Sequence, residues 1–258
     1  MQHKATLEDT LSLMRDLRRR CEWDAVQTHE SLRPYLIEEA HELDDALRTL
    51  DRSKIREELG DVLLQVLFHS VIAEETGEFD AGDVAAGLIA KMKQRHPHLY
   101  GDGQRVPWEK LKARQRSALD EHLPAGLPSL HRAHRLQDRA AGVGFDWDDV
   151  HGPAAKVDEE TREVRALLRD GEPRGAKHEE LEAELGDLLF AVVNLCRKAG
   201  VHPALALDKA NAKFVRRFAA MEGLARQRGI DVSTAGLAAL DKLWDEVKAS
   251  ESNSRLTS

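Results

Sequence analysis

The sequence predicts an all-α protein: two tandem four-helix-type domains joined by a helical linker. Three observations carry this. Apolar residues recur at three- and four-residue steps along most of the 258 residues, with no convincing period-two segment. The two halves repeat one another at a spacing near ~120 residues, too long for a solenoid and right for a duplicated helical unit. Between them lies LPAGLPSL, Leu123–Leu130, two prolines and a glycine with little periodicity. The predicted layout is an N-terminal domain over 1–122, a linker over 123–150, a C-terminal domain over 151–250 and a disordered tail over 251–258.

The elements follow in order. LEDTLSLMRDLRRRC opens the chain as an amphipathic helix. SLRPYLIEEAHELDDALRTLD is a second, with Ser31 as its N-cap and Pro34 in its first turns, where proline is tolerated. A third runs from about Ser53 to a stop at Gly77, a fourth starts near Asp83 and ends before Pro97, and PWEKLKARQRSALDE is a fifth. After the punctuation come HRAHRLQDRAAGVG, AAKVDEETREVRALLRD, a loop at GEPRG, and three further helical stretches. These are HEELEAELGDLLFAVVNLCRKAG, ALALDKANAKFVRRFAAMEGLARQRG and TAGLAALDKLWDEVKAS.

Composition narrows the function. Charged residues make up 33% and hydrophobic ones 41%, which suits a soluble globular chain. The net charge is −8, so attraction to a phosphate backbone is excluded as a general mode and a phosphorylated ligand requires bridging metal ions. Two cysteines without a CxxC pair support neither a disulfide framework nor a zinc knuckle. No apolar signal core or membrane-length run is present, and a cytoplasmic protein is expected.

The repeat concentrates carboxylates. LIEEAHELDDAL, Leu36–Leu47, matches VDEETREVRALL, Val157–Leu168. EELGDVLLQVLFH, Glu57–His69, matches AELGDLLFAVVNL, Ala183–Leu195. Residues three apart share a helix face, so Glu39 pairs with Glu42 and Glu58 with Asp61. The C-terminal set is Glu160, Glu163, Glu184 and Asp187. If consecutive helices pack antiparallel, four carboxylates converge and raise one another's pKa values, a conflict that a hard divalent cation resolves. Mg2+, with Mn2+ as its substitute, is the expected ion. A single EExxE is ordinarily a solvated face; both motifs on consecutive helices, twice in one chain, argue for a site. A di-iron bundle wants Glu-x-x-His on two helices; Glu38–His41 supplies one, but its counterpart is Glu159–Arg162. Gly60 and Gly186, inside each ELGD, cost about 1 kcal/mol against alanine and imply close approach of a helix or a ligand.

Basic faces come next. KFVRRF puts Lys213 and Arg217 on one face and KMKQRH does the same with Lys91 and Arg95; near a metal cluster such pairs would hold distal phosphates. Trp244 suits core packing or base stacking. No P-loop, GxSxG or HExxH occurs.

EExxE, then ELGD, then KFxRRF resembles the MazG family, all-α nucleoside triphosphate pyrophosphohydrolases. WDAVQTHESLRPYLIEEAHEL, GEF, RHPHLYGD, WEKLK and AHRLQDRAAGVGFDW extend the resemblance over about residues 7–249. It implies a dimeric enzyme that needs Mg2+ and hydrolyses nucleoside triphosphates to monophosphate and pyrophosphate. It implies that the C-terminal domain is the catalytic one, with metal on Glu160, Glu163, Glu184 and Asp187, and nucleotide on Lys156, Lys213, Arg217 and Trp244. Attack of an activated water on the α-phosphorus is expected, with Glu159 as candidate base beside the ligand Glu160. A family lysine four residues ahead of the ELGD glutamate falls on Glu180, with Lys177 one turn earlier; Glu22 stands where proline is frequent. The N-terminal half keeps all four acids but has Tyr35 where Lys156 stands. Its Lys91 and Arg95 are the corresponding phosphate-binding candidates. A helical interaction protein with exposed acids is the alternative from another class.

Overall fold

A computed structural model describes residues 4–101, 103, 118–169 and 174–256, and among them every regular element is a helix. The chain divides into two compact units, residues 1–105 and 106–258.

In the first unit, α1 (Leu7–Arg20) starts at Thr6, whose hydroxyl accepts from the Asp9 N–H while Asp9 accepts from the Thr6 N–H. That capping box satisfies two amides the helix cannot pair internally. A short α2 (Glu22–Ala25) leads into α3 (His29–Thr49). Here the N-cap is Thr28, not Ser31; Ser31 is the third helical residue and closes the capping box. The helix therefore starts earlier than the serine alone suggests, and Pro34 lies inside it. α4 (Arg52–Thr76) follows Asp51, whose carboxylate accepts from Ser53 and Lys54 N–H groups. It stops at Gly77, left-handed at φ 70°, where the Gly77 and Glu78 amides return to Glu74 and Ala73 carbonyls. α5 (Ala81–Arg95) is capped by Asp80, with Asp83 as capping-box partner, and α6 (Pro97–Tyr100) follows. The predicted fifth helix, PWEKLKARQRSALDE, lies for the most part outside the described residues.

The core of this unit joins α1, α3 and α4 through Leu11, Met14, Leu32, Leu67, Phe68, Val71 and Ile72. These are the apolar tail of ELGDVLLQVLFH and its partners, and their burial fixes α3 against α4 as an antiparallel hairpin. Arg15 pairs with Glu74 at 3.0 Å and Arg18 pairs with Glu75, tying α1 to the end of α4.

The second unit holds α7 (Ser129–Gly142), α8 (His151–Leu167), α9 (Ala176–Lys198), α10 (Pro203–Gln227) and α11 (Leu237–Leu256). The segment read as a linker thus contributes a helix that packs on α9 and α10 within this unit. α8 and α9 form the counterpart of the α3–α4 hairpin. Met221, Ala225, Leu243 and Val247 make a core between α10 and α11, with Trp244 packed against it. The tail read as disordered is instead helical to Leu256. The physical reason is Glu251, which accepts from Arg217 at 2.8 Å and Arg216 at 3.3 Å and so holds the last turns of α11 on α10.

The loop after α7 fastens the hairpin. Asp146 accepts from Arg197 and, at 3.1 Å, from Lys198 at the end of α9, and the Trp147 carbonyl accepts from Lys198. The Trp147 ring lies over Gly152 in the first turn of α8: a Cβ there would come 2.0 Å from Trp147 Cδ1. Only glycine fits beneath that ring.

Candidate metal and nucleotide sites

Each hairpin brings its acids together. In the first unit Glu39 of α3 and Glu58 and Asp61 of α4 offer oxygens that all lie within 4.8 Å of one another, while Glu42 stands exposed at the rim beside Glu58. In the second, Glu160 of α8 meets Glu184 and Asp187 of α9 within the same distance, and Glu159, Glu160 and Glu163 form an overlapping group along α8. Glu160, at 4% exposure, belongs to both and is the pivot of the site.

The electrostatics of the two clusters differ. In the first unit burial, then Asp61, Glu42 and Glu58, push the Glu39 carboxyl above its ordinary range. Burial and the neighbouring Glu42 and Asp61 do the same to Glu58. The Glu58 Oε2 atom is buried with no hydrogen-bond partner. A buried acceptor left unpaired among repelling carboxylates is costly, and a hard cation relieves both burdens. In the second unit the chain supplies a cation of its own. Lys156 Nζ lies 2.6 Å from Glu160 Oε1 and donates to Glu159 Oε1 at 2.9 Å. That ammonium, hydrogen-bonded by both acids, is held well above its usual range. Glu160 is drawn down, first by the Lys156 hydrogen bond. Glu163 is pushed up, first by the hydrogen bond its protonated carboxyl donates to Glu160, then by burial and the charges of Glu160 and Glu184.

The ELGD glycines resolve one open alternative. A Cβ built on Gly60 or Gly186 meets nothing within 4 Å, so neither glycine serves the packing of a neighbouring helix in its unit.

The basic candidates are less assembled. Arg217 is engaged by Glu251 rather than aimed at a free position. Trp244 packs with its ring centre 5.4 Å from that of Phe214, half-buried against the α10–α11 core. Lys213 is exposed on α10, Lys91 is exposed on α5, and Arg95 is half-buried at the end of α5. Sequence reasoning missed Lys54. It lines a cavity of about 210 Å3 with Glu42, Asp45, Ala46, Thr49 and Glu58. Its signal was present: it stands four residues ahead of Glu58, the position that Glu180 takes ahead of Glu184. Each half therefore carries one lysine near its acids, on α8 in the second and on α4 in the first.

Two helical hairpins, each gathering carboxylates from both of its helices, define the class: an all-α protein with duplicated acid clusters able to hold a divalent ion. No helix among the described residues is long and apolar enough to cross a membrane. A sequence model of the MazG nucleotide pyrophosphohydrolase domain matches residues 27–100 and 153–220, which together hold both clusters. The chain belongs to this family and carries its domain twice. Among its relatives is a "nucleoside triphosphate pyrophosphohydrolase/pyrophosphatase MazG" of Thermotoga maritima, 43% identical over 95% of this chain and 96% of the relative. Another is a "nucleoside triphosphate pyrophosphohydrolase" of Escherichia coli strain K12, 40% identical over 92% of this chain and 94% of the relative. The uncharacterized protein YabN of Bacillus subtilis is 42% identical over 94% of this chain and 52% of its own length.

Proposed function

We propose that the protein hydrolyses nucleoside triphosphates, ribo and deoxy, to nucleoside monophosphate and pyrophosphate in the presence of Mg2+. The observation that carries this reading is the convergence of Glu160, Glu184 and Asp187, with Lys156 paired to Glu160 where a phosphate can draw it away. The names borne by relatives of near full-length coverage point the same way. The donor set fits the ion: carboxylate oxygens alone, crowded, with an unpartnered buried oxygen on Glu58 in the sister cluster. When bound, Mg2+, or Mn2+ in its place, neutralises phosphate charge and lowers the pKa of water.

The chain's residues divide the remaining tasks. Glu160, Glu163, Glu184 and Asp187 would hold the metal in the working C-terminal half, and Glu39, Glu42, Glu58 and Asp61 in the N-terminal half. Lys156 leaves Glu159 and Glu160 for the triphosphate, and Glu159, so released, accepts the proton of the attacking water as pyrophosphate departs from the α-phosphorus. Lys213 and Arg217 bind distal phosphates once Arg217 exchanges Glu251 for substrate, and Trp244 stacks on the base. Lys91 and Arg95 are the corresponding groups of the N-terminal half. We assign residues 1–122 and 151–250 to the two repeats, with 123–150 connecting them along the chain while its helix α7 packs within the second unit.

The same reading includes a homodimer. Leu185, Leu189, Phe190 and Val192 on α9 are 41%, 61%, 44% and 40% exposed, an apolar face on the catalytic hairpin that a second copy would cover. A cytoplasmic enzyme acting on free nucleotides, without nucleic-acid binding, fits the net charge of −8.

The test is pyrophosphate release from a panel of nucleoside triphosphates with Mg2+, for wild type, Glu160→Gln and Glu39→Gln. Glu160→Gln is expected to lose more than about 100-fold, since even partners of metal ligands cost 10–100-fold. Loss confined to Glu39→Gln would move catalysis to the N-terminal half, and a wild type inert on every substrate would sink the enzyme reading.

A further inference from the structure

Three histidines of the second unit converge far in sequence from the acids. His131 and His134 stand three residues apart on one face of α7. His202 is the residue on which α10 begins, and α7 packs against α10. The His131 and His202 ring centres are 5.1 Å apart, and those of His134 and His202 are 4.8 Å apart. Two imidazoles on one tetrahedral ion, at metal–nitrogen distances near 2.0–2.1 Å, put their ring centres about 5 Å apart. The Nδ1 atoms of His134 and His202 are both buried and have no hydrogen-bond partner. Buried polar atoms are almost always paired, and an ion is one of the few things that explains two such nitrogens in one cluster. The other nitrogen of His134, Nε2, faces Asp138 Oδ2 at 3.6 Å, and Asp138 is itself fixed by Arg135 at 3.0 Å. A carboxylate behind a ligating imidazole is the usual outer partner of a metal site.

We propose that His131, His134 and His202 form a second metal site, specific for a borderline divalent transition ion of the Zn2+ type and oriented by Asp138. Imidazole nitrogen suits such ions and discriminates against Mg2+, which prefers oxygen. The ring nitrogens of the three are not all within 4.8 Å of one another, so ligation turns the outer two rings toward His202. The bound ion would clamp the first turn of α10 to α7. This site is independent of the nucleotide chemistry proposed above.

The test uses the full chain, stripped with EDTA and kept in excess Mg2+ so that the acid clusters are occupied. Zn2+ is titrated calorimetrically, and Co2+ is followed by its visible absorption, which is intense in tetrahedral nitrogen ligation. Wild type and Glu184→Gln are expected to take up a Zn2+ equivalent. His134→Gln and His202→Asn, which places a favoured N-cap residue at the start of α10, each lose at least about 100-fold in affinity, and Asp138→Asn about 10–100-fold. Far-ultraviolet circular dichroism reports that each variant retains its helices. Absence of Zn2+ uptake over Mg2+ in wild type, or equal uptake in wild type and both folded histidine variants, would overturn the site.

Discussion

At the residue scale, the two acid clusters contain the same kinds of side chain in different electrostatic surroundings. Glu39 and Glu58 are raised by burial and by each other's neighbourhood. A carboxyl raised above its unfolded value, ordinarily 4.5, favours folding below that value and withdraws the contribution as pH climbs through the folded pKa. Above that window the ionised, crowded Glu58 works against the metal-free fold. Glu58→Gln is therefore expected to melt higher than wild type at pH 7 in EDTA, and at or below wild type near pH 4. It should also show a smaller stabilisation by Mg2+. Thermal melts at both pH values, with and without the ion, check the sign; a lower melting temperature for the variant at pH 7 in EDTA would refute the account. Protons and metal compete for these oxygens, so Mg2+ binding at this cluster should strengthen as pH rises through the same window.

At the element scale, the acids head their helices because the apolar remainder of each helix is what holds them in place. Phe68, Val71 and Ile72 anchor α4 to α1 and α3, and the polar start of α4 projects beyond that core to face α3. This was legible: three- and four-residue spacing predicts which residues share a face, and the repeat says that the arrangement is used twice. Less local features were not. Thr28 beats Ser31 as N-cap because it completes a reciprocal capping box, a choice between two adequate hydroxyls that spacing alone does not make. The turns of α11 past Ser250 depend on arginines more than thirty residues away. The role of GFDW is also tertiary: Asp146 gathers Arg197 and Lys198, and Trp147 covers Gly152. Gly152→Ala drives a methyl into that ring and should cost about 1–3 kcal/mol, as overpacking does. Because Lys156 lies one turn further along α8, pyrophosphate release should fall with stability in this variant. Urea denaturation beside the activity assay measures both, and an unchanged midpoint would contradict the packing described.

At the scale of the whole molecule, the apolar faces of α9 and α4 lack cover within their own units. Leu59 and Val66 of α4 are 53% and 44% exposed, as Leu189 and Phe190 of α9 are 61% and 44%. Sedimentation should give twice the chain mass of 28.9 kDa, and Leu189→Glu should shift the distribution toward monomer. A wild type sedimenting as monomer at micromolar concentration would remove the dimer from the proposal. The sequence displayed the tandem organisation and the family motifs clearly, because they are periodic or contiguous. The contact of Arg217 with Glu251, which occupies a residue expected on phosphate, joins two helices and leaves no mark in either one.

The lysine between Glu159 and Glu160 gives the C-terminal site the logic of a gate with two keys. On the proposed function, an incoming divalent ion would displace this tethered positive charge, and an incoming triphosphate would offer it a new partner. Each ligand would then raise the affinity for the other, a reciprocal coupling that thermodynamics requires to be equal in both directions. The acids around Glu39 are raised by burial and by neighbouring carboxylates, and Lys54 lines their cavity without the paired hydrogen bonds that Lys156 makes to Glu159 and Glu160. The two halves of one duplicated hairpin would then load in different ways, the first accepting the ion alone and the second accepting ion and nucleotide together.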